Sequence, residues 1–484
     1  MIPDRVIDAI SKAIGHERVV FREPQKRTYE MDGLTGYRET PGLVVLPTTT
    51  EHVQAVMRIC HDAKIPVVPR GSGTGLSGGA LPHPAGILIV TSRMRRILSI
   101  DPRGRRAEVE PGVINTDVSK AARVHGLYYA PDPSSQQICS IGGNVAENSG
   151  GAHCLKYGFT THHVLAIDVV LPNGDLITVG DETDEPFGYD LRGLFVGSEG
   201  TLGVATRVVV KLLPLPQTTR TLVADFVSPT AAGDAVSAII EAGIIPAAVE
   251  MLDTLAIEAC EAATSAGYTL GAGAALVVEL DGPSAGIDED FATAKNLCER
   301  SGAQKIRIAA SESERTLIWK GRKAAFAAMG RLAPNYFVQD GVIPRTKLGE
   351  VLARIGELGA EAGVRVANVF HAGDGNLHPL VLYDAADADE AARAEAVSTQ
   401  IAELCVDYGG SITGEHGVGV DKACSMPKMF SPTDLSVMHR VRRAFDAEGC
   451  MNPGKQFPTP RLCGEVPGPY QPHPAEIAGL AERF

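Results

Sequence analysis

A chain of 484 residues is too long for one compact core and implies two or three domains. Its 44% hydrophobic and 21% charged residues are the composition of a globular protein, and a net charge of −13 argues against nucleic acid or an anionic membrane as partner. Nine cysteines without a CxxC pair imply free thiols in a reducing, cytoplasmic setting, and exclude a disulfide framework or an iron–sulfur cluster in this chain.

The opening "MIPDRVIDAISKAIGHERVV" has charges interrupting every apolar stretch, so it reads as neither a signal peptide nor a spanning helix. No run of about 18 apolar residues follows. Residues 43–140 alternate short strands and helices. "LVVLP" (43–47) is a strand. Val53, Val56, Met57 and Cys60 then recur at i, i+3, i+4 and i+7 behind a Thr-rich start, the apolar face of an amphipathic helix. Further strands are expected at 65–69, 87–90, 164–171 and 201–213. "LLPLPQTT" (212–219) carries two prolines and no periodicity, which marks a domain boundary. From 222 the pattern restarts, with strand-like "LVADFV", "AAVEM" and "ALVVEL" between Ala-rich helices at 230–242, 253–264 and 286–301. That is the pattern of an α+β domain with an antiparallel sheet. Helices over 311–330 and 346–362 follow, and helix 432–447 with the turn "NPGK" (452–455) closes the fold. The expected division is one domain over 1–217, a second over 218–425, a segment 426–458 returning to the first, and a proline-rich tail over 459–484.

Two stretches carry chemistry. In "PRGSGTGLSGGA" (69–80) the spacing Gly73-x-Gly75-x-x-Gly78 formally matches a dinucleotide fingerprint, but Pro82 and Pro84 prevent the helix that fingerprint requires. A loop of consecutive backbone N–H groups that can cradle an anion remains, against a plain flexible loop. "PDPSS" (131–135), "IGGNVAENSGG" (141–151) and "GSEGTLGV" (197–204) add three more small-residue turns to the same domain, as one large ligand with polar ends would need. The second stretch is "VFHAGDGNLHPL" (369–380). If Asp374-Gly375 is a two-residue hairpin turn, His371 faces His378 directly, with Cβ atoms roughly 5 Å apart. Two solvated loop histidines are one reading and a pair of metal ligands the other. Glu415 in "TGEHG" (413–417) offers a third ligand, and a His₂Glu set with open positions is a catalytic arrangement.

Taken together, "GSGTGLSGG", "PDPSS", "IGGN" and "GSEGTLG" resemble the FAD-binding domain of the vanillyl-alcohol oxidase and p-cresol methylhydroxylase family. "FHAGDGNLHP", "ITGEHGVG" and "NPGK" are similar to its D-2-hydroxy-acid dehydrogenase branch. "LIWKGRKAAFAAMGRLAPNYFVQDGVIPR" resembles the D subunits of bacterial glycolate oxidases. The resemblance covers almost the whole chain, weakening in the first 35 residues and the tail. It implies an α+β protein with a two-part FAD-binding domain and a substrate (cap) domain built on an antiparallel sheet.

Carried over by match, the resemblance places the FAD diphosphate on Arg70, Gly71, Ser72, Gly73, Thr74, Gly75 and Leu76. It places the flavin and ribityl against Pro131, Asp132, Ser135, Gly142, Gly143, Asn144 and Asn148, the adenine near Val204, and Asn452 on the flavin side. Relatives that attach flavin covalently commonly do so through a His in the phosphate loop, and residues 70–80 contain neither His nor Cys, so FAD is expected to be noncovalent. His371, His378 and Glu415 match the divalent-metal ligands of the branch, with zinc expected ahead of manganese or iron. His416 is the expected base, against a histidine that only orients the loop. Arg322 in "WKGRKAAF" is the expected clamp on the substrate carboxylate, against a solvated helix arginine, the reading given to Lys320 and Lys323.

The activity so implied is oxidation of a small D-2-hydroxy acid, glycolate to glyoxylate first, with electrons passing to an iron–sulfur subunit of a glycolate oxidase complex. The membrane would be reached only through such partners. D-lactate is the alternative substrate, and D-2-hydroxyglutarate ranks low because only Arg331 offers a second cation nearby. A flavin-free metal hydrolase leaves the glycine-rich stretches unexplained. A non-catalytic flavin-binding subunit would not be expected to keep the metal and base positions.

Overall fold

The computed structural model describes residues 2–183 and 188–458, and the expected tail 459–484 lies outside them. The chain forms two compact units. Of the described residues, the first comprises 2–150 and 159–215 together with 415–458, and the expected boundary at 426 falls inside that returning segment. The second comprises residues 151–158 and 216–414.

The first unit has two sheets. In the four-stranded one, Leu43–Val45, Ile87–Val90 and Val67–Arg70 run parallel, with Val19–Val20 antiparallel at one edge. A parallel pair needs a crossover, and helix Thr50–Ala63 supplies it. Thr49 caps the helix by accepting from the His52 N–H at 3.3 Å, and the buried face is the expected Val53, Val56, Met57 and Cys60. The strands it covers are buried on both faces, which explains why they read as unbroken apolar runs. The second sheet is five-stranded and antiparallel, in the order Ile97–Asp101, Arg106–Val109, Val204–Lys211, Val164–Val170, Leu176–Gly180.

The second unit is built on one antiparallel sheet, whose main path runs Lys305–Ile308, Thr218–Phe226, Ala274–Gly282, Ala248–Asp253, Arg365–His371, Asn376–Leu377, Gly341–Val342. Side chains alternate between two apolar layers. Leu222, Ala224, Phe226, Val249, Met251 and Phe370 enter one layer, beneath helices Pro229–Glu241, Leu348–Ala362 and Ala388–Asp407. Val223, Leu252, Val277, Ala367, Val369, Leu380 and Leu382 enter the other, beneath Thr254–Thr264 and the segment expected as one helix over 311–330. That segment is helix Glu312–Lys323, a short second helix Ala325–Ala328 and a final 3₁₀ turn. By the same alternation Glu250, His371 and His378 belong to the second layer, the polar end of an otherwise apolar face.

Seven described cysteines lie outside any disulfide, as expected. Cys424 is the exception and lies in a disulfide. Among the described residues no helix is long and apolar enough to cross a membrane.

Candidate active site

In the first unit the glycine loop leaves strand Val67–Arg70, and no helix intervenes before Ile87–Val90. The N–H groups of residues 71–76 donate to no acceptor among the described residues, so the loop is an array of unspent, half-buried donors. Such an array suits the oxygens of a diphosphate. The loop lies close against the turn before helix Ile141–Glu147, because a Cβ on Gly71 would collide with the Ser140 hydroxyl. Ser140 caps that helix at the Gly143 N–H (3.4 Å), and Gly142, Gly143 and Asn144 form its first turn. Asn148 ends it in the left-handed region (φ 51°), its side chain accepting from the Thr161 N–H at 2.9 Å. Pro131, Asp132 and Ser135 lie on the loop after Leu127–Tyr128, where the Pro131 carbonyl accepts from the Asn115 amide at 3.0 Å. Val204 starts its strand as a buried core residue. Asn452 is fully buried, and its amide donates to the carbonyls of Gly79 (2.8 Å) and Glu199 (2.6 Å), stapling the end of the glycine loop to the "GSEGTLG" turn.

Glu415 and His416 open the returning segment of this unit, both half-buried. The residues after them are pinned by Glu199, whose carboxylate accepts from the N–H groups of Val418 and Gly419, each at 2.7 Å. Burial pushes the Glu199 carboxyl up, although these two donors lower it. Burial and the neighbouring Glu199 push Glu147 well up in turn. Lys455, whose ammonium donates to the Leu81 carbonyl at 3.0 Å, is lowered by burial to about 8. None of these three buried groups was singled out from the sequence.

In the second unit the hairpin differs from the expected one. His371 pairs with Asn376, so four residues make the turn, and the Val369 N–H lies against the His378 carbonyl. The cause is local. Asp374 accepts from the Asn376 N–H at 3.1 Å, and Gly375 sits at φ 81° where a Cβ would strike the Ile343 carbonyl. A slip of two residues preserves the face whereas a slip of one would invert it. His371 and His378 are therefore diagonal neighbours on one face, with ring centroids 5.1 Å apart and a nitrogen of each ring within 4.8 Å of the other, close enough to share an ion. Both are buried, which removes the solvated-loop reading.

Each histidine is backed by a carboxylate that the sequence reading did not pick out. Glu250, directly across the sheet from His371, lies 2.8 and 3.0 Å from its Nδ1. Asp340 lies 3.3 Å from Nε2 of His378 and also accepts from the Thr413 hydroxyl (2.6 Å) and the Gly414 N–H (2.9 Å). Gly414 immediately precedes Glu415 in the chain. The signal for Glu250 is present in "AAVEMLD", where one acid interrupts a strand that is otherwise apolar through Leu252.

Arg322 is buried, so it is not a solvated helix arginine, whereas Lys320 and Lys323 are exposed as expected. Its helix is locked onto the sheet by Glu279, which accepts from Trp319 (2.6 Å) and from two nitrogens of Arg315 (2.8 and 2.7 Å). Burial alone would raise Glu279, but its hydrogen bonds with His153 and Arg315 outweigh burial and hold it well below the carboxylate range. The Arg322 guanidinium meets Glu250 at 2.6 Å, and its Nε–H has no acceptor among the described residues. A buried donor left without an acceptor is costly and points to a ligand oxygen.

The comparisons agree with this architecture. The family model for the FAD-binding domain matches residues 41–180, and that for the C-terminal domain of FAD-linked oxidases matches residues 215–456. The chain is 49% identical to the glycolate oxidase subunit GlcD of Escherichia coli (strain K12), over 95% of this chain and 92% of that protein. It is 38% identical to the glycolate oxidase subunit GlcD of Bacillus subtilis (strain 168), over 94% and 97%. Among solved structures, p-cresol methylhydroxylase with substrate bound superposes with a TM-score of 0.80 at 18% identity, covering 94% of this chain and 96% of that one, which shows the shared fold. The chain belongs to the FAD-linked oxidases of the vanillyl-alcohol oxidase and p-cresol methylhydroxylase type.

Proposed function

We propose that this chain oxidises a small D-2-hydroxy acid, glycolate to glyoxylate first, using noncovalent FAD and a divalent metal. The observation that carries the reading is the polar end of the second unit's sheet: two buried histidines, each backed by a carboxylate, and a buried arginine with a donor to spare. His371 and His378 are assigned as metal ligands, with Glu415 as the third on the match of "TGEHG" to the branch. Zinc fits two imidazoles and a carboxylate, and manganese or iron accepts the same set. A metal held by His371, His378 and Glu415 would supply Lewis acidity at the substrate hydroxyl, and FAD held by the glycine loop would supply the hydride acceptor. Arg322 holds the substrate carboxylate, using donors that Glu250 does not occupy. His416 takes the hydroxyl proton.

The E. coli and B. subtilis relatives are named as subunits of glycolate oxidase, which supports partner subunits for this chain as well. Electrons leaving through an iron–sulfur partner agree with the absence of closely spaced cysteines here.

Turnover of glycolate, D-lactate, L-lactate and D-2-hydroxyglutarate with an artificial electron acceptor tests the function. Fastest turnover of glycolate is the expected result, preference for D-lactate would move the assignment within the class, and no turnover of any of them would end it. Heat or acid denaturation is expected to release yellow FAD into the supernatant, and flavin precipitating with the polypeptide would rule out noncovalent binding. His378→Ala is expected to lower bound metal and turnover while FAD content stays near normal. Wild-type protein without a divalent ion, whose activity survives chelators, would remove the metal from the reaction.

A further inference from the structure

The Glu250 side chain touches both His371 and Arg322. It lies in the middle of strand Ala248–Asp253, pairs with His371 in the sheet register, and has no exposed surface. Both of its oxygens lie within hydrogen-bonding distance of Nδ1 of His371, and one also meets the Arg322 guanidinium at 2.6 Å. A carboxylate accepts but does not donate, so the proton on His371 belongs on Nδ1 and the lone pair on Nε2.

We infer that Glu250 is a positioning residue for the metal ligand: it fixes the His371 tautomer and ring plane so that Nε2 is presented to the ion. This rests on the assignment of His371 and His378 as metal ligands. It goes beyond that assignment by giving the metal affinity a determinant that never touches the ion. Carboxylates behind ligand histidines raise ligand basicity and restrict ring rotation, and removing them typically weakens metal binding about 10–100-fold. The Arg322 contact gives Glu250 its second role. The guanidinium neutralises a carboxylate that would otherwise be a lone buried charge, and the carboxylate in turn sets the direction from which Arg322 offers its remaining N–H groups.

The test is Glu250→Gln in the FAD-loaded protein, stripped of metal by a chelator. Glutamine keeps the shape, but its amide is a weaker acceptor and can also donate, so neither tautomer of His371 is enforced. Zinc affinity, measured by competition with a chromogenic chelator, is expected to fall about 10–100-fold while FAD content stays at the wild-type level. Cobalt(II) substituted for zinc is expected to show a changed visible spectrum, which a merely structural residue would not produce. Equal zinc affinity and an unchanged cobalt spectrum in wild type and variant would overturn the role of Glu250 while leaving the metal site standing. Wild-type protein that binds neither ion would overturn both. Should the single variant not fold, Glu250→Gln with Arg322→Met removes the buried charge together with its counter-charge. The same loss of affinity is expected there, and retained wild-type affinity would again overturn the proposal.

Discussion

His416→Ala is expected to lower kcat by about 10² to 10⁴-fold, the contribution of a positioned base, and to change KM far less. The variant separates chemistry from loop shape because the backbone just after His416 has its own anchor. Val418 and Gly419 are held by Glu199 through their backbone N–H groups, and those bonds survive an alanine at 416. FAD and metal content are therefore expected to remain near wild type. A base works only when deprotonated, so with His416 in that role kcat of the wild-type enzyme is expected to fall toward acid pH. That limb of the profile is expected to disappear in the variant along with most of the rate. Measuring kcat against pH for both proteins, with metal and flavin quantified in each, checks the assignment. A variant that keeps most of its kcat and the same pH profile would show that His416 only lines the loop.

Where local physics dominates, the sequence is legible. The spacing of Val53, Val56, Met57 and Cys60 fixes the buried face of the crossover helix, and the apolar runs flanking it are parallel strands buried on both sides. The same holds for the glycine loop, where Pro82 and Pro84 forbid a helix and none forms. Legibility fails where tertiary contacts decide. The Asp374-Gly375 pair reads as a two-residue turn, yet the packing of Gly375 against Ile343 selects a four-residue turn, shifting the register by two. The two histidines still converge, because the period of a strand is two. Glu250 escaped notice because a carboxylate in a strand is ordinarily read as its solvent side, and Asp340 because it lies in the short link between strands Asn335–Val338 and Gly341–Val342. Only the pairing of one with His371 and the approach of the other to His378 reveal why acids are kept on a buried face. Arg322 lay between two readings, clamp or solvated arginine, and burial decides against solvation.

Arg322→Met is expected to destabilise the protein by about 3–5 kcal/mol, the usual result of breaking a buried pair from one side. The side chains of Arg322 and Glu250 are 3% and 0% exposed, so solvent cannot take over the lost interaction. Chemical denaturation of the FAD-loaded protein, followed by far-UV circular dichroism, measures the loss. Most of it should return in the double variant Glu250→Gln with Arg322→Met, where no lone charge remains. Arg322→Lys separates this structural contribution from the proposed hold on the substrate. Lysine keeps a cation beside Glu250 but has no planar fork with which to serve Glu250 and a substrate carboxylate at once. The lysine variant is therefore expected to fold with much smaller loss, yet to lose about 1.5–3 kcal/mol in kcat/KM, the strength of hydrogen bonds to a charged group. Unchanged kcat/KM in Arg322→Lys would leave Arg322 as the counter-ion of Glu250 alone. The orphaned Nε–H would then need another acceptor, since a buried donor left unsatisfied costs the fold about 1–3 kcal/mol.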